Sequence, residues 1–431
     1  MNTRYKIFNL EGRIYLFDGD NVELVELANE NSVDEYIPKV HLDINSHRAN
    51  YLKTICLVLN NSCNLNCKYC FANKGKYDKP NEQMNFDNAK EALDNLIKCV
   101  RNNNGKEITI AFFGGEPLLS FELIKKVVEY MANIASDLIC KYMITTNGTI
   151  ITPEIAEFLE TNKFNITISI DGDETQHNTF RKYINGNGSY NAVVNSLNMF
   201  KNKSKINARI TIANHNVDIY RAVASIVDLG IKRITFALDY NISEADYYKF
   251  ECSFKQLIKK YIFDIKSGNY YDITNITTAL VSIVLHQRCK SHCNAGISYI
   301  TLSADGKYYR CPRFIGNKLF CMGTVEEPNI LLNNMEKFQA SLGESAIERN
   351  SNCKECPYVF LCGGVCYHHA YALGFQEHKN IPKECSQNQL IFDSTINLIC
   401  SLSTFERGQL LLFLIDIWNN YGKEKIVWRT M

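Results

Sequence analysis

Residues 55–70 read ICLVLNNSCNLNCKYC, an apolar run that leads directly into three closely spaced cysteines. The run ICLVLNN is short, rich in apolar residues and followed by polar ones, which is typical of a buried β-strand. Cys63, Cys67 and Cys70 therefore follow the carboxyl end of a predicted strand. In parallel α/β folds ligands bind at the carboxyl ends of strands, so this stretch predicts the fold and the place of its site.

Similar β-branched runs alternate with helical patterns as far as about residue 266. They are ITIAFFGG (108–115), YMITTNG (142–148), NITISIDG (165–172), ARITIA (208–213) and RITFALD (233–239). The intervening segments, such as FDNAKEALDNLIKCV, place apolar residues at helical spacing. Repeated βα units predict a parallel sheet with helical crossovers. Most of these strands end in polar or glycine clusters, which we expect to converge on one site.

Composition narrows the class of protein. The chain has 431 residues with 47 Lys and Arg against 46 Asp and Glu, so no strong field attracts nucleic acid or anionic lipid. The start, MNTRYKIFNLEGR, lacks the apolar segment of a signal peptide, and the longest apolar stretch, 410–418, is too short to span a bilayer. We expect a cytoplasmic protein without nucleic-acid or membrane partners. Its 17 cysteines then indicate metal or redox chemistry.

Three thiolates favour an incomplete metal site. A structural zinc site needs four ligands, but the residues that follow, FANKGKYDKP (71–80), contain neither His nor Cys. An iron–sulfur cluster with one iron left without a protein ligand fits the pattern better, because a reactive site needs an open coordination position. Zinc stays the alternative.

The spacing Cys-x3-Cys-x-aromatic-Cys after a first strand resembles the radical S-adenosylmethionine (SAM) superfamily, with Tyr69 as the aromatic residue. The resemblance implies a partial (β/α)6 TIM-like barrel. It also implies that Cys63, Cys67 and Cys70 are the catalytic cysteines, which bind a 4Fe-4S cluster whose fourth iron is chelated by S-adenosylmethionine. Electron transfer then releases a 5′-deoxyadenosyl radical that abstracts hydrogen.

Other strand ends match the family's motifs. GGEP at 114–117 supplies glycines for close backbone approach and Glu116 as an acceptor for the methionine ammonium group. Thr145, Thr146 and Asn147 match a TTNG strand end, while Ser169 and Arg181 match positions that contact ribose and carboxylate in related enzymes. The cofactor-binding residues predicted from the resemblance are Tyr69, Gly114, Gly115, Glu116, Pro117, Thr146, Asn147, Ser169, Asp171 and Arg181.

A second cysteine field resembles the SPASM domain, the auxiliary-cluster module of radical enzymes that modify peptides and proteins. By analogy a first auxiliary cluster takes Cys293, Cys311, Cys366 and, as the candidate fourth ligand, Cys289; some relatives leave that iron open. A second takes Cys353, Cys356, Cys362 and Cys385. Three 4Fe-4S clusters are therefore expected. Paired zinc knuckles are the alternative. Cys321 fits neither quartet and is interpreted as a spare buried thiol, with a cluster ligand or a residue near the active site as the alternatives. His292, His368 and His369 are expected at the surface or behind the ligands.

The chain is expected to contain four parts. Residues 1–50 form a β-hairpin element, either a truncated leader-peptide recognition domain or a hairpin that packs on the barrel, with one or two helical turns in SVDEYIPKVH (32–41). Residues 51–285 form the barrel, 286–390 the SPASM domain and 391–431 the C-terminal helices. The scattered cysteines are expected to be small buried hydrophobes: Cys56, Cys99, Cys140, Cys252 and Cys400.

The resemblance favours a maturase that crosslinks a ribosomally made precursor peptide, most simply through a thioether, with a carbon–carbon crosslink as the variant. An anaerobic sulfatase-maturating enzyme is the second interpretation. In those enzymes an Asp follows the cysteine that corresponds to Cys311, whereas this chain has Pro312 and then Arg313. A catalytically silent cluster protein is the third. A flavodoxin or ferredoxin is the expected electron donor.

Overall fold

The computed structural model describes residues 4–29, 32, 51–77, 81–239, 241–289, 291–327, 330–333, 351–372 and 382–421. The chain divides into two compact units. The barrel unit comprises residues 49–250 and 295–341, and the terminal unit comprises 1–48, 251–294 and 342–431. The terminal unit is thus assembled by packing from three segments that are distant in sequence.

The strands are, in chain order, β1 (Tyr5–Leu10), β2 (Arg13–Asp18), β3 (Glu23–Leu27), β4 (Thr54–Val58), β5 (Glu107–Phe113), β6 (Ile139–Thr146), β7 (Asn165–Ser169), β8 (Ile206–Ile212), β9 (Arg233–Leu238), β10 (Asp272–Ile273), β11 (Tyr299–Leu302), β12 (Lys307–Tyr309) and β13 (Cys321–Thr324). The α-helices are α1 (Phe86–Asn102), α2 (Phe121–Ile134), α3 (Pro153–Thr161), α4 (Glu174–Phe180), α5 (Tyr190–Leu197), α6 (Ile219–Asp228), α7 (Glu244–Lys266), α8 (Thr274–Val284), α9 (Ile330–Asn333), α10 (Ser351–Lys354), α11 (Val359–Cys362), α12 (Tyr367–Ala372), α13 (Pro382–Ser401) and α14 (Thr404–Tyr421).

The barrel unit is built on the predicted parallel strands. β4 to β9 lie side by side in chain order, and each pairs in parallel with the next. Every residue of β4 is buried, as expected for a strand of a parallel sheet whose two faces are both covered. The predicted α/β class is confirmed, with the large parallel sheet of a partial barrel.

The sheet continues beyond the predicted strands. β11 pairs in parallel with β4, from Tyr299 opposite Thr54 to Leu302 opposite Leu57, and β12 and β13 add antiparallel strands. The sequence analysis did not predict these strands, because they are only three or four residues long and lie among cysteines that drew the interpretation toward a separate domain.

The terminal unit contains an antiparallel sheet in the order β1-β2-β3. Leu10 pairs with Arg13, and the connecting Glu11 and Gly12 have φ of 52° and 77°, as a tight hairpin turn requires. The predicted hairpin is confirmed and extended by a third strand. The helical turn predicted for 32–41 lies outside the described residues.

The five cysteines outside the two cysteine fields differ in how far they are buried. Cys56 and Cys99 are buried as expected, and Cys140 and Cys400 are half-buried. Cys252 is exposed, so that prediction was wrong. Phe250 and Phe254, each two residues away on α7, are fully buried, and a residue midway between two such positions faces the opposite side of a helix.

Among the described residues, no helix is both long and apolar enough to cross a membrane.

Candidate active site

The carboxyl ends of β4 and β5 bring the cysteine loop, defined as residues 62–70, against the GGEP segment. The Gly115 amide donates to the Asn60 carbonyl at 3.0 Å, and the Glu116 amide donates to the Ser62 carbonyl at 2.8 Å. The Asn60 side chain also donates to the Glu116 carbonyl and to Ser120 Oγ, at 3.0 and 2.8 Å. Sequence reasoning missed Asn60, although it stands in the polar cluster that directly follows β4.

Glycines make this close approach possible. A Cβ atom on Gly115 would lie 2.1 Å from the Ser62 carbonyl oxygen, and one on Gly75 would lie 2.7 Å from Gly115 Cα. Real Cβ contacts are never this short, so both positions exclude every other residue type without a backbone shift. Gly75 was not predicted, since nothing in its local sequence marks the contact.

Glu116 ties the GGEP segment to the end of β6. Its carboxylate is fully buried and accepts from Thr146 Oγ1 at 2.6 Å, the Asn147 amide at 2.7 Å and the Leu118 amide at 3.0 Å. Burial raises the pKa of Glu116 to about 7, and these three donors act against that shift. Both oxygens therefore accept hydrogen bonds within the chain, a role the sequence analysis did not anticipate.

Asn147 extends this network to the first cysteine. Its side-chain nitrogen lies 2.8 Å from Asn64 Oδ1 and 3.7 Å from Cys63 Sγ, and the Leu65 amide donates to the same sulfur at 3.4 Å. Burial raises the pKa of Cys63 to about 12. A half-buried sulfur with two N–H groups directed at it suits a metal-bound thiolate, because both the metal and the donors stabilise the charge.

Asp171 organises the other side of the cysteine loop. It is fully buried and accepts from Arg181 Nε at 2.9 Å, from the Thr211 amide at 2.8 Å and from the Tyr69 hydroxyl. The Arg181 guanidinium carbon also lies 5.3 Å from the Tyr69 ring centroid. The structure thus brings together three predicted residues, Tyr69, Asp171 and Arg181, while Ser169 lies half-buried at the end of β7.

The segment that follows Cys70 contacts two others, the segment that follows Cys311 and the GGEP segment. The Arg313 guanidinium carbon lies 4.5 Å from the Phe71 ring centroid, and the Tyr77 hydroxyl donates to the Gly114 carbonyl at 3.3 Å. Pro312 is buried in a short 3-10 helix, Pro312–Phe314. A cation and an imino acid therefore occupy the stretch where the sulfatase-maturating pattern calls for a carboxylate.

In the terminal unit, three cysteines of one predicted quartet lie on a short loop, and the fourth, Cys385, lies on α13. The Cys356 amide donates to the Cys353 carbonyl at 3.3 Å, and Asn388 Nδ2 lies 3.4 Å from Cys362 Sγ. Asn388 follows Cys385 by one helical turn on α13, so the face of α13 that carries Cys385 meets Cys362.

The remaining predicted ligands of this unit lie on two segments, Cys289 and Cys293 after α8 and Cys366 directly before α12. The Cys289 amide donates to the Phe360 carbonyl at 2.6 Å, and Cys293 is half-buried. The Cys366 amide donates to Glu384 Oε1 at 2.9 Å, and Glu384 Oε2 lies 2.8 Å from His369 Nδ1. His369 is buried, so it lies behind the cysteines rather than at the surface. Cys311 belongs to the barrel unit, and the first auxiliary cluster stays a prediction, as does the interpretation of Cys321.

The donor set fits iron–sulfur chemistry. Cys63, Cys67 and Cys70 are all half-buried and unbridged, and soft thiolates select iron–sulfur clusters or zinc. Within the described ranges, no group of three or more His, Cys, Asp or Glu side chains is placed to hold a single metal ion. The three thiols supply the ligand type of a cluster site, and the backbone packs tightly against the cysteine loop at Gly115.

Comparison with known proteins identifies the class. Residues 57–218 match the family model described as Radical SAM superfamily, and this range contains the cysteine loop, the GGEP segment and the Asp171 cluster. Over these residues the chain carries a radical SAM domain. Such a domain implies a 4Fe-4S cluster and S-adenosylmethionine.

Individual relatives lie within this class. The chain is 27% identical over 380 residues to the radical SAM cyclopropyl synthase TigE of Paramaledivibacter caminithermalis, covering 80% of this chain and 77% of that protein. It is 27% identical over 327 residues to the cysteine-type anaerobic sulfatase-maturating enzyme of Clostridium perfringens, covering 70% and 85%. Among solved structures it resembles anSMEcpe with bound AdoMet, with a TM-score of 0.67 and 22% identity over 83% of this chain and 98% of that one.

Proposed function

We propose that this chain modifies a peptide or protein by radical chemistry, and that its substrate is a ribosomally made precursor peptide. The observation that carries the proposal is the cysteine loop closed by Asn147, Glu116 and Asp171 inside a radical SAM domain. The similarity to TigE and to sulfatase-maturating enzymes supports a peptide or protein as the substrate class.

Cys63, Cys67 and Cys70 would hold the radical-forming cluster, with the predicted cofactor-binding residues around it. When bound, this cluster would supply the electron that cleaves S-adenosylmethionine and generates a 5′-deoxyadenosyl radical able to take a hydrogen atom from a substrate carbon. Glu116 and Asp171 are fully buried beside the cysteine loop. The second cysteine field would hold two auxiliary clusters.

The product that we favour is a thioether between a cysteine sulfur and a carbon. One hydrogen atom leaves the carbon, the thiol loses its proton, the S–C bond forms and one electron departs. This electron needs an acceptor, and the second cysteine field provides the ligands for one. A flavodoxin or ferredoxin would deliver the initial low-potential electrons.

A carbon–carbon bond is the second candidate. TigE is named as a cyclopropyl synthase, and the alignment with it covers 80% of this chain. Ring closure within a side chain also removes two hydrogens, so it needs the same electron acceptor but no substrate thiol. The sulfatase-maturating reaction is the third candidate, although Pro312 and Arg313 replace the carboxylate that its pattern predicts.

Coexpression with the peptide encoded by the adjacent open reading frame separates these reactions. A thioether product loses two hydrogens, and its cysteine resists alkylation by iodoacetamide. A cyclopropane loses two hydrogens but leaves every cysteine alkylated, whereas formylglycine loses sulfur and reacts with a hydrazide. An unmodified peptide, with the Cys67→Ala enzyme giving the same spectrum, would contradict the proposed precursor-peptide substrate.

A further inference from the structure

The N-terminal sheet, strands β1 to β3, packs directly on residues 353–362 of the terminal unit. This segment is here called the auxiliary loop. A Cβ atom on Gly19, in the turn after β2, would lie 1.9 Å from the Pro357 carbonyl oxygen. The ring centroids of Phe17 and Tyr358 are 5.5 Å apart, and both side chains are buried. Backbone and side chains of the sheet therefore form one wall of the loop that carries Cys353, Cys356 and Cys362.

Two cations at the start of β1 face this loop. Arg4 Nε donates to the Lys354 carbonyl, between Cys353 and Cys356, and the Arg4 guanidinium carbon lies 5.6 Å from the Phe360 ring centroid. Lys6 Nζ lies 5.4 Å from the Tyr358 ring centroid.

Carboxylates fix both cations in place. Arg4 Nη1 pairs with Asp20 at 2.7 Å, and Lys6 Nζ pairs with Asp393 at 2.7 Å. The side chains of Arg4 and Lys6 are 25% and 39% exposed, so part of their field passes through protein and is screened less than it would be in water.

Both cations lie beside the stretch of the auxiliary loop that carries Cys353 and Cys356. Arg4 donates to the carbonyl of Lys354, the residue after Cys353, and Lys6 lies over the ring of Tyr358, two residues after Cys356. These contacts place two positive charges beside the predicted cluster ligands.

We propose that Arg4 and Lys6 raise the reduction potential of an iron–sulfur cluster held by Cys353, Cys356, Cys362 and Cys385. The inference rests on the proposed function, which assigns this quartet to the second auxiliary cluster. Four thiolates make such a cluster anionic, and its reduction adds one more negative charge. A fixed cation stabilises the reduced form more than the oxidised form, so the potential rises. The N-terminal sheet thereby tunes an electron acceptor.

An EPR-monitored redox titration of the reconstituted full-length chain tests this directly. In Arg4→Gln and in Lys6→Gln, we expect the potential of one cluster to shift downward while the potentials of the other clusters stay unchanged. Arg4→Lys keeps the charge but not the planar guanidinium, and we expect its potential to lie closer to wild type than that of Arg4→Gln.

Arg13→Gln is the matched control on the same sheet, because Arg13 lies 3.8 Å from Glu26 and is 64% exposed. We expect no shift in this variant. Lys6→Gln carries the test if Arg4→Gln does not fold. Unchanged potentials in the folded neutral variants, with every cluster present, would overturn the inference alone. A wild-type chain whose iron content and spectra lack the auxiliary clusters would instead contradict the cluster assignment in the proposed function, and the inference with it.

Discussion

At the scale of single residues, the candidate active site depends on contacts that leave no room for a side chain. Gly115 lies against the Ser62 carbonyl, which belongs to the same backbone that positions Cys63. Because the obstructing atom is a backbone oxygen and not the end of a flexible side chain, local rotamer changes cannot relieve the clash.

Gly115→Ala should therefore lower the free energy of unfolding by about 2–3 kcal/mol and lower the amount of cluster bound at the cysteine loop. Gly408→Ala is the control, because Gly408 lies in the helix α14 and a Cβ atom added there would meet nothing within 4 Å. That variant should be neutral or more stable by about 0.5–1 kcal/mol. Equal unfolding midpoints in urea for Gly115→Ala and wild type would contradict the steric argument.

Asp171 is the second residue on which the site depends. Its carboxylate is fully buried and balances Arg181, which is only 7% exposed. Asp171→Asn should cost about 3–5 kcal/mol of unfolding free energy, because it leaves a buried guanidinium without its counter-charge. Asp137→Asn removes the carboxylate of an ion pair whose side chains are about half exposed, and it should unfold like wild type. The prediction fails if the two variants unfold at the same denaturant concentration.

Motifs predicted which residues belong to the site but not how they contact one another. Tyr69 and Asp171 are 102 positions apart, and no local pattern indicates that the hydroxyl of one meets the carboxylate of the other. Asn60 and Gly75 escaped prediction for the same reason, since their roles are contacts with distant backbone. The matching motifs identified Glu116 but not its hydrogen bonds to Leu118, Thr146 and Asn147.

At the scale of elements, the parallel strands were predictable because half or more of the residues of each strand are buried, which selects short apolar, β-branched runs. The short strands β11 to β13 carry no such signal.

Ion pairs near the amino ends of the strands were also not predicted. Glu107, at the start of β5, accepts from Lys53 Nζ at 2.9 Å and from Lys141 Nζ at 2.7 Å, so it links β5 to β6 and to the residue that precedes β4.

The two ion pairs of Glu107 should make the free energy of unfolding depend on pH. Burial acts to raise the pKa of Glu107, but hydrogen bonds and charges from Lys141 and Lys53 lower it to about 2. A carboxyl group whose pKa is lower in the folded state than in the unfolded state stabilises the fold at pH values above its unfolded pKa, here 4.5. This stabilisation is lost as the pH falls through the folded-state pKa of about 2. Glu107→Gln should cost about 1 kcal/mol at neutral pH, after allowance for partial exposure, and nearly nothing near pH 2.

Unfolding of wild type and Glu107→Gln in urea at both pH values checks this expectation. Glu154→Gln is the control, because the Glu154 side chain is 74% exposed and lies 3.5 Å from Lys125. A wild-type advantage over Glu107→Gln that persists at low pH would contradict the assigned ion pairs.

At the scale of the whole molecule, cluster content tests the assignment of the cysteines. Three 4Fe-4S clusters predict about twelve iron and twelve sulfide per chain after anaerobic reconstitution. Replacing Cys353 and Cys356 with Ala should lower this to about eight, and replacing Cys63, Cys67 and Cys70 should lower it by the same amount. A wild-type content near four iron and four sulfide per chain, unchanged by the substitutions at Cys353 and Cys356, would contradict the assignment of the auxiliary clusters.

We propose that this chain cleaves S-adenosylmethionine at the cysteine loop of the barrel unit, inside its radical SAM domain. The most direct test of this claim is the amount of 5′-deoxyadenosine that forms when the reconstituted chain is incubated with dithionite and S-adenosylmethionine, compared with the Cys67→Ala variant. We predict that wild type forms 5′-deoxyadenosine and that the variant forms none above a blank without protein. Equal amounts from the two proteins would contradict the claim.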